Sequence, residues 1–103
     1  LSLHCDAAPP GKNPLKENGF SVYYYHPRST ELARALHRHY GRLTQLPDRG
    51  FFFGDFAVCR TTQMPAILVE TAYLIRPDEE EQLLSRDFQC KAAESIGPQC
   101  TVF

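Results

Sequence analysis

The alternation of apolar and polar residues predicts strands in three parts of the chain. Residues 20–25, Phe-Ser-Val-Tyr-Tyr-Tyr, place every second side chain on the same face and are rich in residues that favour strands. Residues 66–69, Ala-Ile-Leu-Val, form an unbroken apolar run that ends at Glu70, which is typical of a strand buried on both faces. Residues 1–4 begin apolar-polar-apolar and run into His4, so they read like the end of a strand and suggest a truncated chain.

Apolar residues that recur every three or four positions predict a helix after Ser29. The helix is predicted to end at Leu46-Pro47. Arginines spaced by four lie on one face of this helix, and its buried stripe lies on another. The arginines are Arg34, Arg38 and Arg42, and the stripe is Leu32, Leu36, Tyr40 and Leu43 with Ala35 beside it.

Two further helices are predicted near the end of the chain. Asp78 followed by Glu81 has the spacing of a capping box and predicts a short helix through Leu84. A last helix is predicted over Asp87 to Ile96, closed by Gly97-Pro98.

The segments between these elements contain breaker residues or a mixed apolar pattern. Residues 5–18 are rich in Pro, Gly, Lys and Asn and predict a surface loop, and residues 47–50 predict a turn. Residues 51–56 and 57–60 predict extended segments. Because strands and helices alternate, we expect an α/β fold, layered α/β/α, with helices covering a mixed sheet.

Composition narrows the classes of function. With 103 residues, the chain is expected to be one globular unit or a piece of one. Eleven basic and twelve acidic residues give a net charge of -1, so there is no basic face to indicate a nucleic-acid partner. No apolar run approaches the roughly 18 to 20 residues that span a bilayer, and we expect no membrane partner.

The four cysteines, Cys5, Cys59, Cys90 and Cys100, are widely and irregularly spaced. They lack the density of a disulfide framework and contain no Cys-x-x-Cys pair, which makes a zinc knuckle or a thioredoxin-like motif an unlikely interpretation. We expect small buried side chains or one incidental disulfide.

Glu70 and His4 are the candidate residues for chemistry, because each stands at the end of a predicted strand. A carboxylate held in a cleft at a sheet edge can have a raised pKa and act in proton transfer, although Glu70 could also simply mark where the chain leaves the core. A neutral imidazole is the commonest nitrogen ligand of zinc, although a single His is more often a surface residue.

Other histidines and cysteines form no convincing pair in the sequence. His37 and His39 lie two apart on a helix and point to different faces, and His26 has no partner at ligand spacing, so all three are predicted to be solvated. A catalytic dyad of Cys5 or Cys59 with a histidine is the alternative, since an imidazole can activate a thiolate. The pair Cys5 and His4 is disfavoured, because neighbouring side chains on a strand point to opposite faces.

Four segments, in order, resemble the amidase-3 group of N-acetylmuramoyl-L-alanine amidases. Residues 3–7 resemble its Ser-Ile-His-x-Asn/Asp-Ala segment, and residues 19–24 resemble its Gly-x-x-Val-Tyr-Tyr strand. Residues 56–70 resemble its Phe-x-Val-Leu-Arg-x-x-x-Met-Pro-Ala-x-Leu-Val-Glu block, and residues 73–79 resemble the Phe-Leu-Ser-Asn-Pro-x-Glu that follows.

The resemblance implies a peptidoglycan hydrolase that cleaves the amide bond between N-acetylmuramic acid and L-alanine. It implies Zn²⁺ held by two histidines and a glutamate, with His4 as the last ligand and Glu70 as the catalytic glutamate. The family's other two ligands lie upstream of the His4 segment, so residues 1–103 are expected to be the C-terminal portion of the catalytic domain and to be inactive alone.

The same resemblance sets the expected partners and the alternatives. Peptidoglycan is the expected partner, and the expected location is the periplasm or the outside of the cell. A half-domain would expose a strand edge, so we also expect a homo-oligomer that covers the missing half. The alternatives are a non-catalytic cell-wall-binding or structural domain derived from the amidase fold, and an unrelated cysteine hydrolase.

Overall fold

A computed structural model describes residues 1–7, 10–11, 13, 18–74 and 76–102, and for residues 98–102 it describes the backbone alone. Half of the predicted loop over residues 5–18 and the side chain of Cys100 lie outside the described residues. Within the described part, no helix is long and apolar enough to cross a membrane.

The strands form one mixed sheet in the order β1-β4-β2-β3. Its members are β1 (Ser2–Asp6), β2 (Phe20–Tyr24), β3 (Asp48–Phe53) and β4 (Ile67–Tyr73). The pairs β1–β4 and β2–β3 are parallel, and β2 runs antiparallel to β4. The predicted α/β fold with a mixed sheet is confirmed, and β4 is an internal strand, as its apolar run predicted.

Three helices follow the strands: α1 (Thr30–Thr44), α2 (Pro77–Leu84) and α3 (Arg86–Val102). The core lies where α1 and α3 meet one face of β2 and β4. Its buried side chains are Phe20, Val22, Leu32, Ala33, Leu36, Tyr40, Leu46, Ile67, Val69, Ala72 and Phe88. Most of the predicted stripe of α1 is therefore buried, and Arg34, Arg38 and Arg42 lie on its outer side as its spacing predicted.

Several predicted boundaries are wrong. β3 begins at Asp48 instead of following a turn, because Gly50 takes a φ of +104° and lets the strand bulge where it pairs with β2. Residues 57–59 form a 3-10 turn and not an extended segment, with Cys59 N–H donating to the carbonyl of Phe56 at 2.9 Å.

The helix ends also differ from the prediction. α2 begins at Pro77 without a side-chain cap, and Asp78 instead accepts a hydrogen bond from Arg76 Nε at 2.8 Å, so the predicted capping box is not formed. α3 continues through Gly97 to Val102. Pro98 therefore lies within α3, near its end. Proline is usually tolerated only in the first turn of a helix, which is why the local pattern predicted that α3 would stop before it.

Candidate active site

His4, Glu70 and Ser21 form a row across three adjacent strands. Glu70 is the register partner of His4 on β1 and of Ser21 on β2. Paired residues of neighbouring strands point to the same face of a sheet, so these side chains lie side by side. This is the face opposite to α1, because the side chains packed against α1 are those of Val22 and Val69, next to Ser21 and Glu70 in the chain.

Glu70 lies inside β4 and not at its end, which corrects the prediction that the strand stops there. The strand changes register immediately after Glu70, since His4 pairs with Glu70 but Asp6 pairs with Tyr73. One extra residue on β4 therefore makes a β-bulge. Bulges are frequent beside active sites because they aim a side chain away from the regular pleat.

The surroundings of Glu70 raise the pKa of its carboxyl group. Burial raises its pKa, the nearby carboxylate of Asp6 raises it further, and His4 lowers it. Its Oε2 is the one buried side-chain oxygen or nitrogen among the described residues without a hydrogen-bond partner. A buried oxygen left unpaired costs free energy, so this carboxyl group is suited to exchange a proton with a molecule that enters the site.

His4 is exposed, and its strand β1 is the edge of the sheet. Its Nε2 lies 2.9 Å from Ser2 Oγ. No group of three or more His, Cys, Asp or Glu side chains that could hold a metal ion occurs within the described part of the chain. The donors here fit one part of a zinc site, an imidazole beside a carboxylate, and a tight site needs further protein ligands.

The other histidines do not join this row, and their predicted solvation is wrong for His37. Its ring stacks against Phe20 and Phe51, and its Nε2 lies 2.6 Å from Asp48 Oδ1. His26 is half-buried, with Nε2 2.8 Å from the carbonyl oxygen of Arg60. These contacts depend on residues distant in sequence, which the local pattern around each His does not contain.

The described cysteines are free thiols. Cys59 is buried, as expected for a small hydrophobic side chain, and burial raises the pKa of its thiol. Cys5 and Cys90 are exposed, so the expectation of burial is wrong for them. Cys5 Sγ lies 3.3 Å from Thr71 Oγ1 while His4 contacts Ser2, and the two side chains thus have separate partners.

Asp6 and Thr71 were not among the predicted site residues. Asp6 acts on Glu70 through its charge, and Thr71 donates its hydroxyl to the carbonyl of His4 at 2.9 Å. Thr71 directly follows Glu70, and Asp6 lies two residues after His4, so both were close to the candidate residues in the sequence. Only the pairing of β1 with β4 shows that Asp6 comes near Glu70 and Thr71 near His4.

Residues 1–98 match the family model described as N-acetylmuramoyl-L-alanine amidase. The chain is 44% identical over 67 residues to the N-acetylmuramoyl-L-alanine amidase AmiC of Neisseria meningitidis, a match that covers 65% of this chain and 14% of AmiC. It is 38% identical over 69 residues to the putative N-acetylmuramoyl-L-alanine amidase YrvJ of Bacillus subtilis, covering 67% of this chain and 13% of YrvJ.

The fold matches solved amidase structures. The catalytic domain of CwlV, an N-acetylmuramoyl-L-alanine amidase from Bacillus (Paenibacillus) polymyxa var. colistinus, superposes with a TM-score of 0.87 at 36% identity, over 97% of this chain and 54% of that one. An N-acetylmuramoyl-L-alanine amidase from Clostridium difficile 630 superposes with a TM-score of 0.86 at 29% identity, over 98% of this chain and 54% of that one. The chain thus spans about half the length of these solved structures.

Proposed function

Because this chain belongs to the N-acetylmuramoyl-L-alanine amidase family, we propose that it is part of a peptidoglycan hydrolase. The bond cut is the amide that joins the lactyl group of N-acetylmuramic acid to L-alanine of the stem peptide. The observation that carries the proposal is the buried, unpaired carboxyl oxygen of Glu70 next to His4. Such an enzyme acts where peptidoglycan lies, in the periplasm or outside the cell.

Glu70 is the proposed proton-transfer residue. Its carboxylate takes a proton from the attacking water and passes it to the leaving amine of L-alanine, so that the amine departs neutral. Burial and the charge of Asp6 support this role, because both raise the pKa of Glu70 towards the pH at which proton transfer is efficient.

His4 is the proposed zinc ligand within this chain. When bound, Zn²⁺ supplies Lewis acidity that polarises the amide carbonyl and makes water more acidic. The exposed imidazole at the free edge of β1 is open to further ligands from outside the described residues. The remaining ligands, a histidine and a glutamate, belong on this proposal to a preceding portion of the domain, and residues 1–103 alone are inactive.

A second candidate function is a non-catalytic wall-binding or structural domain that keeps the fold without the metal. The absence of a group of three potential ligands among the described residues is the observation that favours it. The two functions differ in metal content and in the need for Glu70.

The test measures zinc content by elemental analysis and the release of stem peptides from purified peptidoglycan. The chain is assayed alone and preceded by the residues encoded upstream of it. We expect the longer protein to hold about one zinc ion per chain, as catalytic sites with three protein ligands do. Glu70→Ala in that protein should lower the release rate by a factor of about 10² to 10⁴, the usual contribution of a general base.

The controls separate this proposal from the alternatives. Glu31→Ala removes an exposed carboxylate of α1 and should leave the rate unchanged. Because Cys5 lies next to His4, the thiols are alkylated in a Cys5→Ser variant, and this treatment should also leave the rate unchanged. Loss of activity in Cys5→Ser, or on alkylation of its remaining thiols, would favour a cysteine hydrolase. A longer protein that binds peptidoglycan without zinc and without releasing peptide would support the wall-binding function instead.

A further inference from the structure

We propose that Tyr40 and Thr71, here called the clamp, are positioning residues that fix the bulge of β4 and thereby keep Glu70 beside His4. The inference rests on the proposed function for its catalytic meaning. The structural part, that these two residues keep His4 on the same face as Glu70, stands on the contacts of the described residues.

β1 pairs with β4 in two different registers. His4 pairs with Glu70, but Asp6 pairs with Tyr73, so two registers meet at the bulge. If the register of Asp6 extended back along the strand, His4 would pair with Thr71. The pairing with Ser21 on β2 fixes the face on which Glu70 lies, so this shift of one residue would turn His4 to the opposite face, towards α1. The bulge must therefore be held for Glu70 and His4 to share a face.

The clamp residues form hydrogen bonds on two sides of the bulge. The hydroxyl of Tyr40, a fully buried residue of α1, donates to the carbonyl oxygen of Thr71 at 3.1 Å. The hydroxyl of Thr71 donates to the carbonyl oxygen of His4 at 2.9 Å. Because that hydroxyl has a single proton, the thiol of Cys5, at 3.3 Å, is the donor in its own contact with Thr71 Oγ1.

These hydrogen bonds join β4, which carries Glu70, to α1 and to β1, which carries His4. One clamp residue ties the backbone just after Glu70 to α1, and the other ties it to the backbone of His4 on β1. Beyond the bulge, Leu74 N–H donates to the carbonyl of Asp6 at 2.9 Å, so the second register resumes at once. A misplacement of catalytic groups by about 1 Å can cost about a hundredfold in rate, which gives such a clamp a functional effect.

The test uses Tyr40→Phe and Thr71→Val, each of which removes one hydroxyl with little change of shape. In the active, longer form of the protein we expect kcat for peptide release to fall about tenfold, with KM and zinc content unchanged, because the loss concerns the geometry of the reacting groups. Thr71→Ser keeps the hydroxyl and should retain kcat. Tyr25→Phe removes a hydroxyl from a ring that contacts His26 and Phe53 away from the bulge, and is the matched control.

A second readout does not depend on activity. In the 103-residue chain, nuclear Overhauser contacts between the side chains of His4 and Glu70 should be present in the wild type, Thr71→Ser and Tyr25→Phe. They should weaken severalfold in Tyr40→Phe and Thr71→Val, as the two registers exchange. Contacts of wild-type strength in both clamp variants would overturn the proposal, whether or not the enzyme is active. Loss of peptide release in every form with these contacts behaving as expected would reject the amidase function and leave the clamp in place.

Discussion

Two glutamates nine positions apart in the sequence have opposite environments. Glu79, in the first turn of α2, is 2% exposed, and its carboxylate accepts hydrogen bonds from Gly19 N–H at 2.8 and 3.0 Å and from Tyr73 N–H at 3.0 Å. Glu70, on β4, keeps a buried oxygen with no partner. Both carboxyl groups have buried oxygens, but among the described residues only that of Glu79 has its hydrogen-bonding capacity used within the fold.

The difference separates a structural carboxylate from the one proposed to transfer protons. Glu79 joins the start of β2, the end of β4 and the start of α2 through backbone donors that would otherwise be buried without partners. Glu70 joins no elements in this way among the described residues, and its buried, unpaired oxygen destabilises the fold. In an amidase-family chain this is expected of a group that must remain free to bind water or substrate.

The largest effect on stability is expected for Glu79→Ala. The substitution leaves the N–H groups of Gly19 and Tyr73 buried without an acceptor, and each unsatisfied group costs about 1 to 3 kcal/mol. We expect the free energy of unfolding to fall by about 4 kcal/mol, measured by urea denaturation followed by circular dichroism. Glu80→Ala removes an exposed neighbour on α2 and is the control. A loss no larger than that of the control would mean that Glu79 is not structural.

A somewhat smaller effect is expected for Gly19→Ala, on the other side of the same contact. Gly19 has a φ of +91°, and a Cβ there would lie 2.1 Å from the carbonyl oxygen of Pro47. We expect a loss of about 3 kcal/mol in the free energy of unfolding, from backbone strain of about 1 to 2 kcal/mol together with the steric overlap.

Gly11→Ala is the matched control for that variant. Gly11 also has a positive φ, +84°, but a Cβ there would meet no atom of the described residues within 4 Å. It should therefore cost about 1 kcal/mol, the strain alone. Equal losses in the two variants would show that the approach of Pro47 to Gly19 contributes nothing to stability.

The sequence predicted those features that depend on a regular period. The alternation in residues 20–25 and the helical stripe of residues 32–43 each follow one rule along a single segment, and both gave the correct element. The apolar run before Glu70 also predicted an internal strand. The resemblance to a family added His4 and Glu70 as candidates, and the register places them side by side.

The features that were missed depend on pairs of residues far apart in the chain. The bulge after Glu70 exists only relative to β1, which is more than sixty positions away, so no local pattern could show it. The burial of His37 depends on the rings of Phe20 and Phe51. Both features depend on a contact with residues that lie outside the local sequence pattern.

The smallest expected effect is a pH dependence of stability that tests the raised pKa of Glu70. Burial and Asp6 raise the pKa of Glu70 in the folded chain above its value in the unfolded chain, roughly 4.3. The folded state therefore binds this proton more tightly, and the stability that Glu70 contributes below the unfolded pKa is lost as pH rises through the folded pKa. Glu70→Gln does not titrate and should lose nothing in this window.

The free energies of unfolding of wild type and Glu70→Gln should thus diverge in favour of the variant as pH rises from about 4 through the raised pKa of Glu70. Urea denaturation across this range measures the difference, and Glu80→Gln controls for removal of an exposed charge. A constant difference between Glu70→Gln and wild type would mean that the carboxyl group has the same proton affinity folded and unfolded. That result would remove the electrostatic contrast between Glu70 and Glu79, because Glu70 would then be no better prepared for proton transfer than an ordinary surface acid.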